Sequence, residues 1–506
     1  MSKTAESQII LTTLNARYMH SAFGLRYLYA NLGELQSTAL IEEFSIQQRP
    51  IDIAERLLMY RPRIIGFGVY IWNVTEVTET VELLKQISPG TVIVLGGPEV
   101  SHLPDKPAVA DIADYVVMGA AEKSFRDLCQ LVLSGNKPLW REIQSEELPL
   151  GQIQMPYQYY TDEDIKNRLI YVEASRGCPF KCEFCLSSLD KTSKPFEPGL
   201  FLDEMDKLHQ RGARNFKFID RTFNLKASNS ITILEFFLQR MSDDLYLHFE
   251  VVPDNLPDRL KAVIEKFPQH ALQFEIGVQT FDEKIQALIS RKQDNTKTRE
   301  NLRWLREQTH AYIHADLIFG LPSDTLENFA KSFDQLVSLK PHEIQLGILK
   351  RLRGAPLNRH NEEYQLRYNP EPPYNILCSR DIDFGTMQRV NRFARYWDMI
   401  ANSGRFIHTL PLILRDKPFD NFMQLSDCLY RTVGSTCNIS LRRLFVLLFK
   451  SLVVMEDIDD DLLFEKMKID YERTGEKSSF AFLLNNETKV SRIGVANKRQ
   501  QKMLGA

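Results

Sequence analysis

Twice along this 506-residue chain, short β-rich runs alternate with segments of helical period, and that alternation limits the fold more than any other feature. Within residues 1–140 the β-rich runs fall at 9–14, 39–44, 64–70, 92–95 and 115–118. Helical patterns lie between and after them: Leu25/Leu28/Leu32/Leu35, then 53–60, 74–87 and 124–133. Five βα units in a row imply a parallel sheet with helices on both faces. Ligands of such sheets bind at the carboxyl ends of the strands. Those ends carry residues 15–24, Tyr70-Ile71-Trp72-Asn73, Gly96-Gly97-Pro98-Glu99 and Gly119-Ala120-Ala121-Glu122.

Residues 141–167 lose this periodicity and read as a linker. A second alternation fills 168–357, with strands expected at 170–174, 216–219, 245–252, 272–278, 312–319 and 343–349. Helices are expected between them at 201–211, 231–241, 259–267, 298–309 and 326–339. Six βα units in this length suit a partial, six-stranded β/α barrel better than a complete eight-stranded one. Residues 358–506 read as a mostly helical domain around the apolar segment 441–455. The fold class is therefore α/β, with a helical C-terminal domain.

Composition removes several classes of function. With 43% hydrophobic and 25% charged residues, the chain has enough apolar surface to offset its entropy and is not disordered as a whole. Its 63 Lys and Arg against 66 Asp and Glu leave −3, too weak a balance for a whole-chain nucleic-acid or membrane-surface binder. The longest apolar run, 444–455, is broken by Lys450 and is short of the ~20 residues a membrane span needs. The first residues enter a strand-like run without a signal-peptide pattern. The acidic cluster 456–461 reads as a solvated helix start, and the basic residues after Glu487 (Lys489, Arg492, Lys498, Arg499, Lys502) as a frayed terminus. A cytoplasmic protein is the expectation.

Sulfur spacing supplies the chemistry. Three of the seven cysteines stand in Cys178-Pro179-Phe180-Lys181-Cys182-Glu183-Phe184-Cys185, spaced C-x3-C-x2-C directly after a strand. Three thiolates on one tight loop can bind three irons of a [4Fe–4S] cube and leave the fourth open. A structural zinc site wants four closed ligands. No fourth Cys is nearby, and His209 follows 24 residues after Cys185. Cys129, Cys378, Cys428 and Cys437 read as buried core cysteines.

This run resembles the radical S-adenosylmethionine (SAM) superfamily, whose hallmark is this spacing after the first barrel strand, with an aromatic residue, here Phe184, before the last Cys. The resemblance covers residues 169–357. Glu275-Ile276-Gly277-Val278-Gln279-Thr280-Phe281, followed by Ile289-Ser290-Arg291, is similar to a fourth-strand signature of the branch containing the oxygen-independent coproporphyrinogen oxidases. Asp316-Leu317-Ile318-Phe319-Gly320-Leu321-Pro322 is similar to its fifth-strand signature. The resemblance implies a [4Fe–4S] cluster on Cys178, Cys182 and Cys185, with SAM held by Phe184, Glu250, Gln279, Arg291 and Asp316. Carboxylates suit the amine and ribose hydroxyls of SAM, and an arginine fork suits its carboxylate. The family's Gly-Gly-Glu run is not visible after the second strand. Asp220-Arg221-Thr222-Phe223-Asn224 stands there, and Asp220 or Thr222 is the candidate for the amine.

The first domain, placed before such a barrel, resembles the cobalamin-binding domain of B12-type radical SAM enzymes. Gly96, Gly97, Pro98 and Glu99 match that family's fourth-strand loop, and Gly119 and Glu122 its fifth. The resemblance implies that they bind cobalamin, the glycines letting backbone approach a corrin ring or its nucleotide tail. The D-x-H-x-x-G cobalt-ligating motif of other B12 enzymes is absent; His20 lies in a different frame. The last domain resembles the uncharacterised domain that follows the barrel in one subgroup of these proteins.

What the resemblance implies is a radical SAM enzyme. Its reduced cluster would cleave SAM to methionine and a 5′-deoxyadenosyl radical, and cobalamin would help to methylate an unactivated carbon. A small molecule or peptide is the expected substrate, and flavodoxin or ferredoxin the kind of electron donor. A cobalamin-assisted rearrangement or cyclisation, an RNA modification, and a non-catalytic iron–sulfur or cobalamin sensor stay open as alternatives. RNA is the less favoured partner, because the methylthiotransferase kind carries N-terminal cluster cysteines and the first 128 residues here contain none.

Overall fold

A computed structural model describes residues 7–455, 458–476 and 480. The basic residues beyond Glu487 and part of the acidic cluster, 456–457, lie outside the described residues. The chain divides at Asn391/Arg392 into two compact units.

The first unit contains two parallel sheets. One comprises β1 (Ile9–Asn15), β2 (Ala39–Ser45), β3 (Ile64–Gly68), β4 (Val92–Gly96), β5 (Tyr115–Met118) and β6 (Glu142–Gln144), in the order β2-β1-β3-β4-β5-β6. β1 is buried along its whole length because helices cover both faces of the sheet. The strand order reverses between β1 and β3, and such a switch point opens a crevice at the carboxyl ends. Asn73 locks that point. Its amide nitrogen donates to Thr13 Oγ1 (3.1 Å), the Leu14 carbonyl (3.0 Å) and the Gly68 carbonyl (3.2 Å).

The second sheet begins with β7 (Ile170–Val172). A small antiparallel hairpin, β8 (Ser175–Arg176) with β9 (Lys194–Pro195), follows it. The sheet continues through β10 (Asn215–Phe218), β11 (Tyr246–Val251), β12 (Leu272–Gln279), β13 (Tyr312–Phe319) and β14 (Glu343–Ile348), each parallel to its sequence neighbour. These six strands form the partial barrel expected from the sequence. Along β12 and β13 buried and half-buried residues alternate strictly. Phe274, Ile276, Ile313 and Ala315 form the buried set, while Glu275, Gly277, His314 and Asp316 make up the other face, as period-two geometry requires.

Residues 141–167, expected as linker, are built into the structure. β6 adds a sixth parallel strand to the first sheet, Val116 facing Glu142 and Met118 facing Gln144. Thr161 and Asp164 form a capping box for the helix Asp162–Asn167. Tyr157 and Tyr160 are buried, their hydroxyls donating to the Glu173 and Tyr171 carbonyls (3.2 and 2.7 Å). A three-residue strand carries too little periodicity to register, and buried tyrosines with polar tips read as loop. Arg26 ties the segment to the first sheet through Glu43 and Asp164, each at 2.7 Å, all three buried.

The first compact unit also extends past residue 357. A short antiparallel pair, β15 (Arg367–Tyr368) with β16 (Ile376–Cys378), and an isolated bridge from Lys350 to Asn375 bind that stretch to the end of β14. In the second unit, the helices Pro418–Val433, Leu441–Val454 and Asp460–Arg473 enclose an aromatic core that includes Phe422, Phe445 and Tyr471. Asp459 caps the last helix by accepting from Leu462 N (2.8 Å), so the described part of the acidic cluster is a helix start. Cys129 is core, its thiol pushed up to about 12 by burial. Cys378 and Cys428 are only half-buried and Cys437 is exposed, against the expectation of core cysteines. Among the described residues, no helix is long and apolar enough to cross a membrane.

Candidate active site

The cysteine loop hangs between β8 and β9, directly above the carboxyl end of β7. Gly177 opens it at φ +92, where a Cβ would run into the Thr192 carbonyl and the Asp190 carboxylate. Glu183, between the second and third cysteines, is the anchor. Its backbone N–H donates to the Ile289 carbonyl (3.0 Å), and its own carbonyl accepts from Leu357 N (2.9 Å). Its buried carboxylate accepts from Ser290 Oγ (2.6 Å) and Arg359 Nη2 (2.5 Å), and pairs with His360 Nε2 (3.0 Å). Burial lifts the Cys178 and Cys182 thiols above their ordinary value. Opposing this at Cys182 is the Arg291 guanidinium, 3.6 Å from its sulfur.

Cys178, Cys182 and Cys185 line a cavity of about 280 Å³ at the mouth of the barrel, and Phe184, Glu250, Gln279, Arg291 and Asp316 line the same one. Residues up to 138 positions apart in sequence thus meet where the chain pattern placed them. Glu250 takes two contacts from Arg221 Nη1 (2.8 and 3.1 Å), and burial still raises its carboxyl despite that cation. Arg291 is held by Gln293 Oε1 (3.0 and 2.8 Å) and by the Gly277 carbonyl. Gln279 sits at φ +68, where the β12–β13 register slips. Asp316 Oδ1 and His314 Nε2 lie 3.3 Å apart but out of line, so both atoms are buried without a hydrogen bond.

Several members were not assigned from the sequence: Arg221, Glu275 and Gln293 line this cavity too. Burial acts to raise Glu275, but a hydrogen bond from His248 and the charge of Lys217 outweigh it and hold the group at about 2. The two candidates after the second strand separate. Thr222 faces the cavity with its hydroxyl buried and unpartnered. Asp220 instead accepts from Ala174 N (3.0 Å) and Ser175 Oγ (2.6 Å), and burial pushes it up to about 7. It braces the cysteine hairpin from below. Among the described residues, no three His, Cys, Asp or Glu gather tightly enough to hold a single metal ion.

A second cavity, of about 840 Å³, opens at the carboxyl ends of β1, β3, β4 and β5. Gly96, Gly97, Pro98, Gly119 and Glu122 line it, with the stacked rings of Tyr70 and Trp72 (centroids 4.4 Å apart). Its far wall comes from the barrel: Tyr171, Glu173, Arg176 and Ile219. The strand ends of the two sheets therefore share one crevice. His20 lines it and its Nδ1 lies 2.7 Å from Tyr171 Oη, a local hydrogen bond across the two sheets.

Two expectations for these loops change. Gly97 stands at φ +107, and a Cβ there would lie 2.5 Å from the Val69 carbonyl oxygen, so neighbouring backbone already demands glycine. Glu99 is buried and absent from the cavity wall; its carboxylate meets Arg353 Nε at 2.7 Å. Glu122 does line the cavity, but Arg176 Nη1 holds it at 2.8 Å.

A parallel sheet with a strand-end crevice, joined to a six-stranded barrel with three thiols at its mouth, defines a two-cofactor α/β architecture. Family models agree with this division: "Radical SAM superfamily" matches residues 172–336, "B12 binding domain" residues 10–129, and "Protein of unknown function (DUF4080)" residues 362–503. The chain thus carries a radical SAM domain preceded by a B12-binding domain. It is 23% identical over 343 residues to the uncharacterized methyltransferase PH0819 of Pyrococcus horikoshii, covering 62% of this chain and 73% of that one. It is 24% identical to the cobalamin-dependent radical SAM methyltransferase TokK of Streptomyces tokunonensis, over 62% of this chain and 51% of TokK, and so spans about half of that relative. Among solved structures, the cobalamin-dependent SAM radical enzyme OxsB shares the fold at TM-score 0.60 and 15% identity, covering 93% of this chain and 84% of OxsB.

The side chains fit the implied groups. Thr222 Oγ1 and Gln279 Oε1 are buried polar atoms without partners, and Asp316 Oδ1 meets only His314 Nε2, out of line at 3.3 Å. All three are on residues lining one cavity beside three thiols. Such atoms cost free energy until a polar ligand satisfies them. The larger crevice, with glycine loops and a flat aromatic pair, has the dimensions and mostly apolar lining of a cofactor site.

Proposed function

We propose that this chain is a cobalamin-dependent radical SAM methyltransferase acting on an unactivated carbon. The observation that carries the reading is that the barrel borders two strand-end cavities. One is lined by Cys178, Cys182 and Cys185; the other is lined by the glycine loops of the first sheet and walled by Tyr171, Glu173, Arg176 and Ile219 of the barrel. Bound together, a [4Fe–4S] cluster, SAM and cobalamin supply reductive SAM cleavage, hydrogen abstraction and a methyl donor.

The chain's own residues have distinct tasks in this scheme. Cys178, Cys182 and Cys185 hold the cluster, and Arg291 tempers the charge on the Cys182 sulfur. The unpartnered oxygens of Thr222, Gln279 and Asp316 accept from the amine and hydroxyls of SAM. Glu250 is available to the same ligand once Arg221 yields one of its two contacts. Gly96 and Gly119 line the corrin crevice with bare backbone, while Tyr70 and Trp72 offer it a flat wall. Tyr171 and Ile219 wall the larger crevice on its barrel side, and excluding water there would protect a reactive carbon.

Anaerobic reconstitution with iron, sulfide and cobalamin, followed by reduction with methyl-labelled SAM and candidate substrates, tests the proposal. Methylation leaves label in product and yields both 5′-deoxyadenosine and S-adenosylhomocysteine. Product formed with 5′-deoxyadenosine alone, without label, would hand the reaction to a rearrangement.

A further inference from the structure

We infer that Glu99 and Glu122, the glutamates of the two glycine loops, are positioning residues that fix the barrel against the first sheet, rather than ligands of a cofactor. The inference rests on the proposed function only for its reading of what the two crevices hold.

Both carboxylates are more than nine-tenths buried, and each ends on an arginine of the barrel. Glu122 meets Arg176, whose remaining nitrogens donate to both oxygens of Glu173 (3.2 and 3.1 Å). The rings of Tyr27 and Phe196 flank that guanidinium at 4.9 and 5.9 Å. Glu99 meets Arg353, which also donates to Asp105 and to Tyr374 Oη (3.1 Å) and lies 5.0 Å from the Tyr374 ring.

The location of the arginines gives the pairs their meaning. Arg176 follows β7 and Arg353 follows β14, the two outermost strands of the second sheet. A partial barrel is open between those strands. The loops after β4 and β5 therefore pin both free edges of the barrel to the same sheet. Each glutamate takes one nitrogen, and the other nitrogens of each guanidinium are held by further partners, Glu173 for Arg176 and Asp105 with Tyr374 for Arg353. The planar fork is thus fixed in direction as well as distance. Arg176 also stands two residues before Cys178, so the Glu122 contact reaches directly to the root of the cysteine loop. Radical transfer between two bound groups tolerates little displacement, since a shift of about 1 Å can cost on the order of a hundredfold.

The test uses the full chain with Glu99→Gln, Glu122→Gln and the double variant, which keep side-chain volume, and thermal unfolding to establish that each is folded. Without cobalamin, hydrogen exchange of residues 175–185 should quicken at least fivefold in Glu122→Gln, although the substitution lies at the start of a helix of the first domain. With cluster and cobalamin bound and reduced, cobalamin affinity should stay within threefold of wild type. The enhancement of cob(II)alamin spin relaxation by the cluster should change at least twofold in the double variant. A tenfold loss of cobalamin affinity in a folded single variant would make these residues ligands and overturn the inference, as would unchanged exchange and unchanged relaxation. If the double variant does not fold, the single variants are judged by the same limits. Wild-type chain that takes up no cobalamin would refute the proposed function instead, and the exchange measurement would still decide the role of Glu122.

Discussion

Replacing Gly97 by alanine separates two reasons for a glycine that a pigment assay alone confuses. Gly97 sits at φ 107° and ψ 169°. A side chain in this region costs about 1–3 kcal/mol in backbone strain. The added Cβ would also lie 2.5 Å from the Val69 carbonyl oxygen and 3.0 Å from its nitrogen. Relief requires Val69 to retreat, which loosens its 2.8 Å bond to the Gly96 carbonyl, worth about 1 kcal/mol. Together these terms give about 3 kcal/mol, or a drop of about 10 °C in the melting transition of a domain this size. Scanning calorimetry on the cobalamin-free chain reads this directly. Gly119→Ala is the comparison: its Cβ would meet nothing nearer than 3.5 Å, so only strain at φ +86 remains and the drop should be smaller. A cobalamin-free Gly97→Ala chain that melts like wild type, yet loses pigment, would refute the backbone argument and restore contact with corrin as the reason for the glycine.

Four further outcomes are expected. Changing Cys178, Cys182 and Cys185 together to Ala should remove the brown chromophore and its iron, whereas stoichiometric zinc in wild type would contradict the cluster assignment. Asp316→Ala should weaken SAM binding by about tenfold, ~1.4 kcal/mol, in calorimetric titration with iron content unchanged. Arg26→Met removes the 2.7 Å partner of Glu43 and Asp164 and leaves them Arg168 at 3.3 and 3.4 Å. It should therefore cost about 3 kcal/mol, the low end for a broken buried pair, in denaturant unfolding, without touching the cavity of the three thiols. Glu275, held at about 2 in the folded chain, contributes stability that is complete above its unfolded value near ~4.3 and is lost as pH falls from there toward ~2. Glu275→Gln should therefore flatten the acid limb of the pH–stability curve, and an unchanged limb would contradict this.

Most of the fold was legible because both sheets obey short-range rules. Every strand of the two parallel sheets except β6 announced itself by β-branched or aromatic runs bounded by helical period, while the two-residue strands β8 and β9 did not. The cavity of the three thiols was legible for a similar reason: strand-end polar residues of one barrel converge whatever their separation in sequence. What escaped was set by tertiary contact. β6 is only three residues long, and its pairing with β5 is what makes it a strand. Arg221 and Glu275 are single charged residues in half-polar runs, and only the folded barrel places them beside Glu250 and His248. The roles of Glu99 and Glu122 depended on arginines 254 and 54 residues away, which no local pattern reports.

The anchoring of Glu183 also sets an order of events during synthesis. The strands of the barrel pair in chain order, so each one emerging from a ribosome finds its neighbour already made. The cysteine loop is the exception. It emerges early, yet the groups that seat it, Ser290, Arg359 and His360, follow 107, 176 and 177 residues later. At elongation rates of about 5–20 residues per second, the three thiols therefore wait roughly ten seconds or more without their lock. Arg291 arrives with Ser290, but Arg359 and His360 come later still, so any machinery delivering iron and sulfide meets a finished site only on a polypeptide synthesised beyond His360.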